Sequence, residues 1–257
     1  MADREVDWPD YLAGFHADRT GVVEDVLSRA LRADHTPYRW LARAVSADAR
    51  VVVDLASGSG PVARELAQPG RTVVGVDLSD AELRLAQRRG AGPLVRADAR
   101  VLPFRDGSVD VVTSSLGLVV VQPLTEVLAE VVRVLRPGGV LAAIAPAVRP
   151  LGAADLRQLG QLNVHLRAKP RFPGPVELTG FRKALAELDM KVVEDKRERY
   201  RFTVTTSDDA ALLLSALYLP FTPQARVGAA LDYLSEAAEH RGSVEIAIPV
   251  RRLVAIK

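Results

Sequence analysis

Three apolar runs in this chain each close on a carboxylate. VVVDL carries Asp54, RTVVGVD ends on Asp77 and PLVRAD ends on Asp98; a fourth run, VDVVTSS, ends on Ser114 and Ser115. Directly after the first comes ASGSG, in which Gly58, Gly60 and Ala63 match the G-x-G-x-x-(G/A) spacing that lets backbone approach a ligand at a helix start. A carboxylate accepts hydrogen bonds from hydroxyls and amines, each contributing about 1.5–3 kcal/mol when charge-assisted. Asp77 follows Asp54 at roughly the twenty-residue spacing where an acidic side chain takes ribose hydroxyls, and Asp98 can accept from an exocyclic amine. Asp54 would repel a pyrophosphate and suits an ammonium or a sulfonium. The glycines alone point to a dinucleotide, or to a plain structural turn, and Asp98 alone also fits a helix cap. The carboxylates together point to a cationic, hydroxylated ligand.

These residues need strands that end side by side. Short apolar runs alternate with helical patterns from Arg50 to about residue 146, which predicts a parallel, doubly wound sheet with ligands at the carboxyl ends of its strands. Ser79 and Glu82 form a capping-box pair opening one helix. Leu124, Val127, Leu128, Val131 and Leu135 fall on one face of another, which RPGG stops. Residues 19–47 read as helical, with Thr36-Pro37 opening a second helix there. Residues 149–176 read as a loop with a short helix, 178–188 as a helix, and KVVEDKRERYRFTVTT and VEIAIPVRRLVAIK as strands around two helices over 207–219 and 222–241. The expected fold is a Rossmann-like, mostly parallel seven-stranded α/β sheet with N-terminal helices and helical lid insertions. It forms one domain, with N-terminal helices at 1–48, an alternating core at 49–148 and irregular insertions with closing strands at 149–257.

Composition narrows the field. With 48% hydrophobic and 26% charged residues the 257-residue chain reads as an ordinary globular protein able to bury a proper core. A net charge of +2 and no appended basic domain argue against nucleic acid. The absence of cysteine removes disulfides, thiolate metal sites and cysteine nucleophiles. MADREVDWPDY is too polar for a signal peptide, and the longest apolar runs fall short of the roughly 20 residues a membrane helix needs. A cytoplasmic protein without a membrane partner is expected, as a monomer or a homodimer.

The central stretch resembles the class I S-adenosylmethionine-dependent methyltransferases. VVVDLASGSG is similar to their first motif, with Ala56 in place of its first glycine. VVGVDLS is similar to their second strand, RADARVLPFRDGSVDVVTSS to the D-A-x-x-L-P-F segment, and LAEVVRVLRPGGVLAA to the helix, turn and strand that follow. The resemblance implies S-adenosylmethionine as cofactor and assigns its subsites. The backbone of Ala56, Ser57, Gly58 and Gly60 would pass under the methionine part with Asp54 nearby. Asp77 would hold the ribose, Leu78 would pack on adenine, Asp98 and Ala99 would meet the adenine edge, and Ser114 and Ser115 would approach the methionyl amine.

Methyl transfer requires a base only when the nucleophile keeps its proton. Of the four histidines, His16 and His165 are the candidates, while His35 and His240 read as surface residues near helix ends. Tyr11, Tyr38, Trp40 and Tyr218 are candidates for an aromatic acceptor pocket, and LGLVVV after the fourth strand reads as core. The segment TSSLGL replaces the N-P-P-Y or D-P-P-Y signature of DNA adenine and protein glutamine methylation. No carboxylate cluster for magnesium accompanies the cofactor aspartates, so no metal is expected. A small-molecule acceptor remains, quinone-like or a natural product, with oxygen the expected methylated atom. A regulatory protein that keeps the cofactor site is the alternative. A nicotinamide-dependent oxidoreductase would leave Asp54, Asp98 and RPGG without a role.

Overall fold

The computed structural model describes residues 5–257. The chain begins with α1 (Trp8–Asp18), α2 (Val22–Leu27) and α3 (Pro37–Ala42), then alternates through β1 (Val51–Leu55), α4 (Pro61–Leu66), β2 (Thr72–Asp77), α5 (Asp80–Arg88), β3 (Leu94–Arg96) and β4 (Val109–Ser115). α6 (Gly117–Val120), α7 (Leu124–Val134) and β5 (Leu135–Pro146) follow. The last third holds α8 (Ala153–Leu166), α9 (Phe181–Ala186), β6 (Lys191–Val204), α10 (Ser207–Ser215), α11 (Gln224–Arg241) and β7 (Val244–Ile256). The seven strands form one sheet in the order β3-β2-β1-β4-β5-β7-β6. β1 to β5 pair in parallel, and β7 inserts antiparallel to both its neighbours.

Both faces of the central strands are covered, which is why they read as continuous valine runs. Val53 and Leu55 pack with Val127, Leu128 and Val131 of α7 and with Phe181 and Leu185 of α9. Val52, on the opposite face, packs with Tyr38, Trp40 and Leu41 of α3 and Val62 and Leu66 of α4. A third apolar cluster joins α8, α10 and α11 to the far ends of β6 and β7. No helix among the described residues is long and apolar enough to cross a membrane.

Several local readings change. α1 starts at Trp8, ahead of the expected helical stretch, because Asp7 accepts the Asp10 N–H at 3.2 Å and Pro9 supplies a first-turn residue that needs no donor. RPGG does not simply stop α7. It forms the looped-out start of β5, where the register moves from Val109↔Leu135 to Val111↔Val140 and Gly138 takes a φ of 74°. The stretch expected as a loop with a short helix contains the 14-residue α8, whose Leu162 and Leu166 are buried in the third cluster. His35 is buried and lies 3.2 Å from Glu198, so it is no surface residue. Trp40 belongs to the core, its ring tilted against Tyr200.

Candidate functional site

At the carboxyl ends of β1 to β4 lies a cavity of about 980 Å³, at the upper end of the range for small-molecule sites. Its floor is the turn after β1. Ala56 holds a φ of 52°, the left-handed conformation that favours glycine and costs an alanine about 1 kcal/mol. A Cβ added at Gly117 would stand 2.5 Å from the Ala56 Cβ and 2.7 Å from Ser114 Oγ. The methyl that replaces a motif glycine at position 56 is therefore accommodated by a glycine in the facing turn. Gly58 follows with a φ of 53°, and its N–H donates to Asp77 Oδ2 at 2.7 Å.

Asp77 closes β2 with its other oxygen accepting the Ser79 N–H at 2.9 Å. Burial pushes its carboxyl up, against the pull of those two N–H groups. Leu78 projects an exposed apolar side chain at the mouth. Asp98 and Ala99 line the rim, but both Asp98 oxygens already take the Arg100 guanidinium, at 2.6–3.1 Å, which holds that carboxyl low. Ser57 and Ser115 also line the cavity, and the buried Ser57 hydroxyl has no hydrogen-bond partner among the described residues.

Three residues expected at the cofactor lie behind this wall. Asp54 is 1% exposed, takes the Thr113 hydroxyl at 2.9 Å on one oxygen, and does not line the cavity. Burial pushes its carboxyl up to about 7, with the Asp77 charge adding to the effect. Gly60 caps α4 with a φ of 79°, and a Cβ there would meet Ala91 at 2.6 Å, so its role is packing. Ser114 donates to the Leu55 carbonyl at 3.0 Å and is fully buried.

The aromatic and histidine candidates divide as well. His16, Tyr38 and Tyr218 line the cavity. Tyr11 stands behind them, accepting the Leu219 N–H at 2.9 Å. His165 is remote: its ring stacks on Tyr233 of α11 at 4.5 Å, because α8 and α11 pack together outside the site. α11 contributes nothing to the lining, whereas α1 does. Of LGLVVV, Leu118 and Val119 are core as expected, while Leu116, Gly117, Val120 and Val121 face the cavity.

Glu82 is the residue that sequence reasoning missed. Ser79 does cap α5, accepting the Glu82 N–H at 3.3 Å. The Glu82 side chain, however, does not fold back to complete a capping box. It turns into the cavity, where Oε1 accepts the Gly21 N–H at 3.1 Å and lies 3.0 Å from His16 Nδ1. Its Oε2 is buried without a partner among the described residues. The signal that hid it was its fit to a common helix-start pattern.

Comparison with known proteins places this geometry. A model described as "Methyltransferase domain" matches residues 53–143. A demethylmenaquinone methyltransferase of a Parafrankia species is 37% identical over 179 residues, covering 59% of this chain and 70% of that protein. The chain belongs to the class I S-adenosylmethionine-dependent methyltransferases. A demethylmenaquinone methyltransferase of Streptomyces avermitilis is 38% identical over 125 residues, covering 48% of this chain and 53% of that protein. The chain thus spans about half the length of that relative. A putative methyltransferase of Bacillus halodurans shares the fold, with a TM-score of 0.59 at 19% identity over 86% of this chain and 98% of the other.

The residues present fit the cofactor of this methyltransferase family. A buried carboxylate at the end of β2 suits ribose hydroxyls, an exposed Leu78 offers a flat ring an apolar cover, and Ala56, Ser57 and Gly58 bring the turn after β1 against the cavity. Among the described residues no three His, Cys, Asp or Glu side chains converge to hold a metal ion.

Proposed function

We propose that this methyltransferase moves the methyl group of S-adenosylmethionine to a hydroxylated aromatic small molecule of the quinol type, with the hydroxyl oxygen as the receiving atom. One observation carries the reading. The cavity runs without interruption from the Gly58–Asp77 loop to an apolar wall of Trp8, Leu12, Val120, Val121 and Pro173, so one space holds a cofactor and a flat, uncharged acceptor. The names of the relatives support a quinone-related acceptor. In this reading residues 1–48, of which 1–4 lie outside the described residues, serve as lid, 49–148 as cofactor core and 149–257 as the substrate side.

When bound, S-adenosylmethionine supplies an electrophilic methyl on a cationic sulfur. The chain supplies alignment and dryness. Ala56, Gly58 and Asp77 fix the cofactor end, while α1 and the Tyr218 segment roof the acceptor end and exclude water. His16 of α1 also lines the cavity. The test is release of S-adenosylhomocysteine with a panel of naphthohydroquinones, naphthols and phenols. Turnover of at least one aromatic hydroxyl compound is expected. Tight cofactor binding with no turnover across the panel would favour a regulatory binding protein instead.

A further inference from the structure

His16 does not face the cavity alone. Its Nδ1 lies 3.0 Å from Glu82 Oε1 and its Nε2 lies 3.1 Å from the Tyr218 hydroxyl. Glu82 comes from the first turn of α5, His16 from the end of α1, and Tyr218 from the segment after α10, so three distant parts of the chain meet in one line. We propose that these residues form a proton relay in which Tyr218 is the group that touches the acceptor, His16 takes the proton, and Glu82 is the positioning residue that sets the imidazole tautomer.

The polarity of the line follows from Glu82. Its Oε1 accepts the Gly21 N–H, and in the relay the same oxygen accepts from His16 Nδ1, 3.0 Å away. An accepting carboxylate requires a hydrogen on Nδ1, which leaves the lone pair of a neutral imidazole on Nε2. Nε2 then accepts the Tyr218 O–H. The Tyr218 ring is held at its edges by Phe15, with centroids 4.6 Å apart, and by Phe172 at 5.6 Å, and the residue lines the cavity. Burial, with the nearby Glu82 charge, pushes the Tyr218 hydroxyl well up, so a lone tyrosinate is not the base. The hydroxyl acts by passing a proton on.

The step balances without another reagent. The acceptor oxygen forms a bond to the methyl carbon, and the carbon–sulfur bond breaks with its electron pair left on sulfur. As this occurs the acceptor's proton moves to the Tyr218 oxygen, and Tyr218's own proton moves to His16 Nε2. The resulting imidazolium lies against the Glu82 carboxylate. His16 keeps 24% of its side chain exposed, which gives the proton a route back to water.

The relay also selects an acceptor class. A phenolic hydroxyl, with a pKa of about 10, keeps its proton at neutral pH and needs such a route. A carboxylate acceptor needs none, and it would meet the charges of Glu82 and Asp77 in the same cavity. The acceptor is therefore a neutral phenol or quinol rather than an acid. This inference rests on the methyltransferase reading above.

Nitrogen-15 spectra of the histidine side chains near pH 8 test the relay directly, with His16 assigned by the signal lost in His16→Gln. Wild-type protein is expected to show the Nδ1–H tautomer at His16. Glu82→Gln, which keeps an acceptor for Gly21 but can donate to Nδ1, should shift it toward Nε2–H. A dominant Nε2–H tautomer in wild type, or a His16 signal unmoved by Glu82→Gln, would overturn the proposal. In turnover, Tyr218→Phe and His16→Gln should lower kcat for the best phenol or quinol by about 10²- to 10⁴-fold, with the S-adenosylmethionine Kd held within about 3-fold of wild type. Full kcat in Tyr218→Phe would remove Tyr218 from the relay, and a preference for carboxylic acids would overturn the acceptor class. Loss of cofactor binding by wild type in calorimetry would instead overturn the methyltransferase reading, and so separates the two failures.

Discussion

Glu82 Oε1 and His16 Nδ1 lie 3.0 Å apart across 66 residues of sequence, and through them the start of α5 is tied to α1 at the cavity. The connection is continuous. Gly58 and Ser79 donate to Asp77, the Ser79 hydroxyl accepts the Glu82 N–H, and Glu82 Oε1 accepts the Gly21 N–H and lies 3.0 Å from His16 Nδ1. Because Gly21 sits between α1 and α2, the same carboxylate anchors the turn that joins them. Glu82→Ala should leave a buried N–H and an imidazole without their partner, costing about 1–3 kcal/mol. Thermal unfolding checks it, and an unchanged melting temperature would mean the contact is not formed in solution.

Asp77→Ala should weaken S-adenosylmethionine binding roughly 10- to 150-fold, the loss of one or two charge-assisted hydrogen bonds. Calorimetric titration measures this. An unchanged Kd would mean that the ribose is held elsewhere.

Gly117 and Ala56 should behave as a coupled pair. Gly117→Ala puts a methyl 2.5 Å from the Ala56 Cβ and should cost about 1–3 kcal/mol by overpacking. Ala56→Gly alone relieves a left-handed alanine and should be neutral or stabilising by about 1 kcal/mol. The double variant should recover part of the Gly117→Ala loss, with a coupling of about 0.5–3 kcal/mol in a thermodynamic cycle. Strict additivity would contradict the contact.

Asp54 gives the cofactor-free protein a pH signature. Burial pushes its carboxyl up to about 7, above its unfolded value of 3.8. The native state thus holds this proton more tightly, and between roughly pH 4 and 7 its contribution to stability falls as pH rises. Asp54→Asn cannot lose that proton. The stability of wild type relative to Asp54→Asn should drop by about 2–4 kcal/mol from pH 4 to pH 8. Urea unfolding at both pH values measures it, and parallel pH dependence would contradict a buried, raised Asp54.

His165→Ala should leave methyl transfer unchanged and cost about 0.5–1.5 kcal/mol through the lost stacking on Tyr233. A fall in kcat without a fall in stability would bring α8 back into the site.

The strand ends were legible because a parallel sheet buried on both faces leaves an uninterrupted apolar run, and a polar residue that ends such a run stands out. Asp77 and the glycine turn announced themselves in this way. Asp54 did so too, yet its side chain lies behind the cavity wall, since sequence spacing reports the strand and not the face on which a side chain falls. Glu82 was hidden by local grammar: a Ser-x-x-Glu helix start explains the residue without any reference to α1. Its actual partners, Gly21 and His16, are chosen by tertiary packing across 61 and 66 residues. His165 and His16 were equivalent as sequence, and only the packing of α8 on α11 and of α1 over the cavity separates them. RPGG ends α7 as its composition suggests, and it also forms the looped-out start of β5, because a strand start and a helix terminator use the same residues.

We propose that the Ala56–Gly58 turn and Asp77 hold S-adenosylmethionine. Calorimetric titration of the purified chain with S-adenosylmethionine and, separately, with NADH tests it most directly. The expected result is one S-adenosylmethionine site per chain, a melting rise of several degrees at roughly 100 times Kd from about 2.7 kcal/mol of added stability, and no response to NADH. Binding of NADH with no heat from S-adenosylmethionine would contradict it.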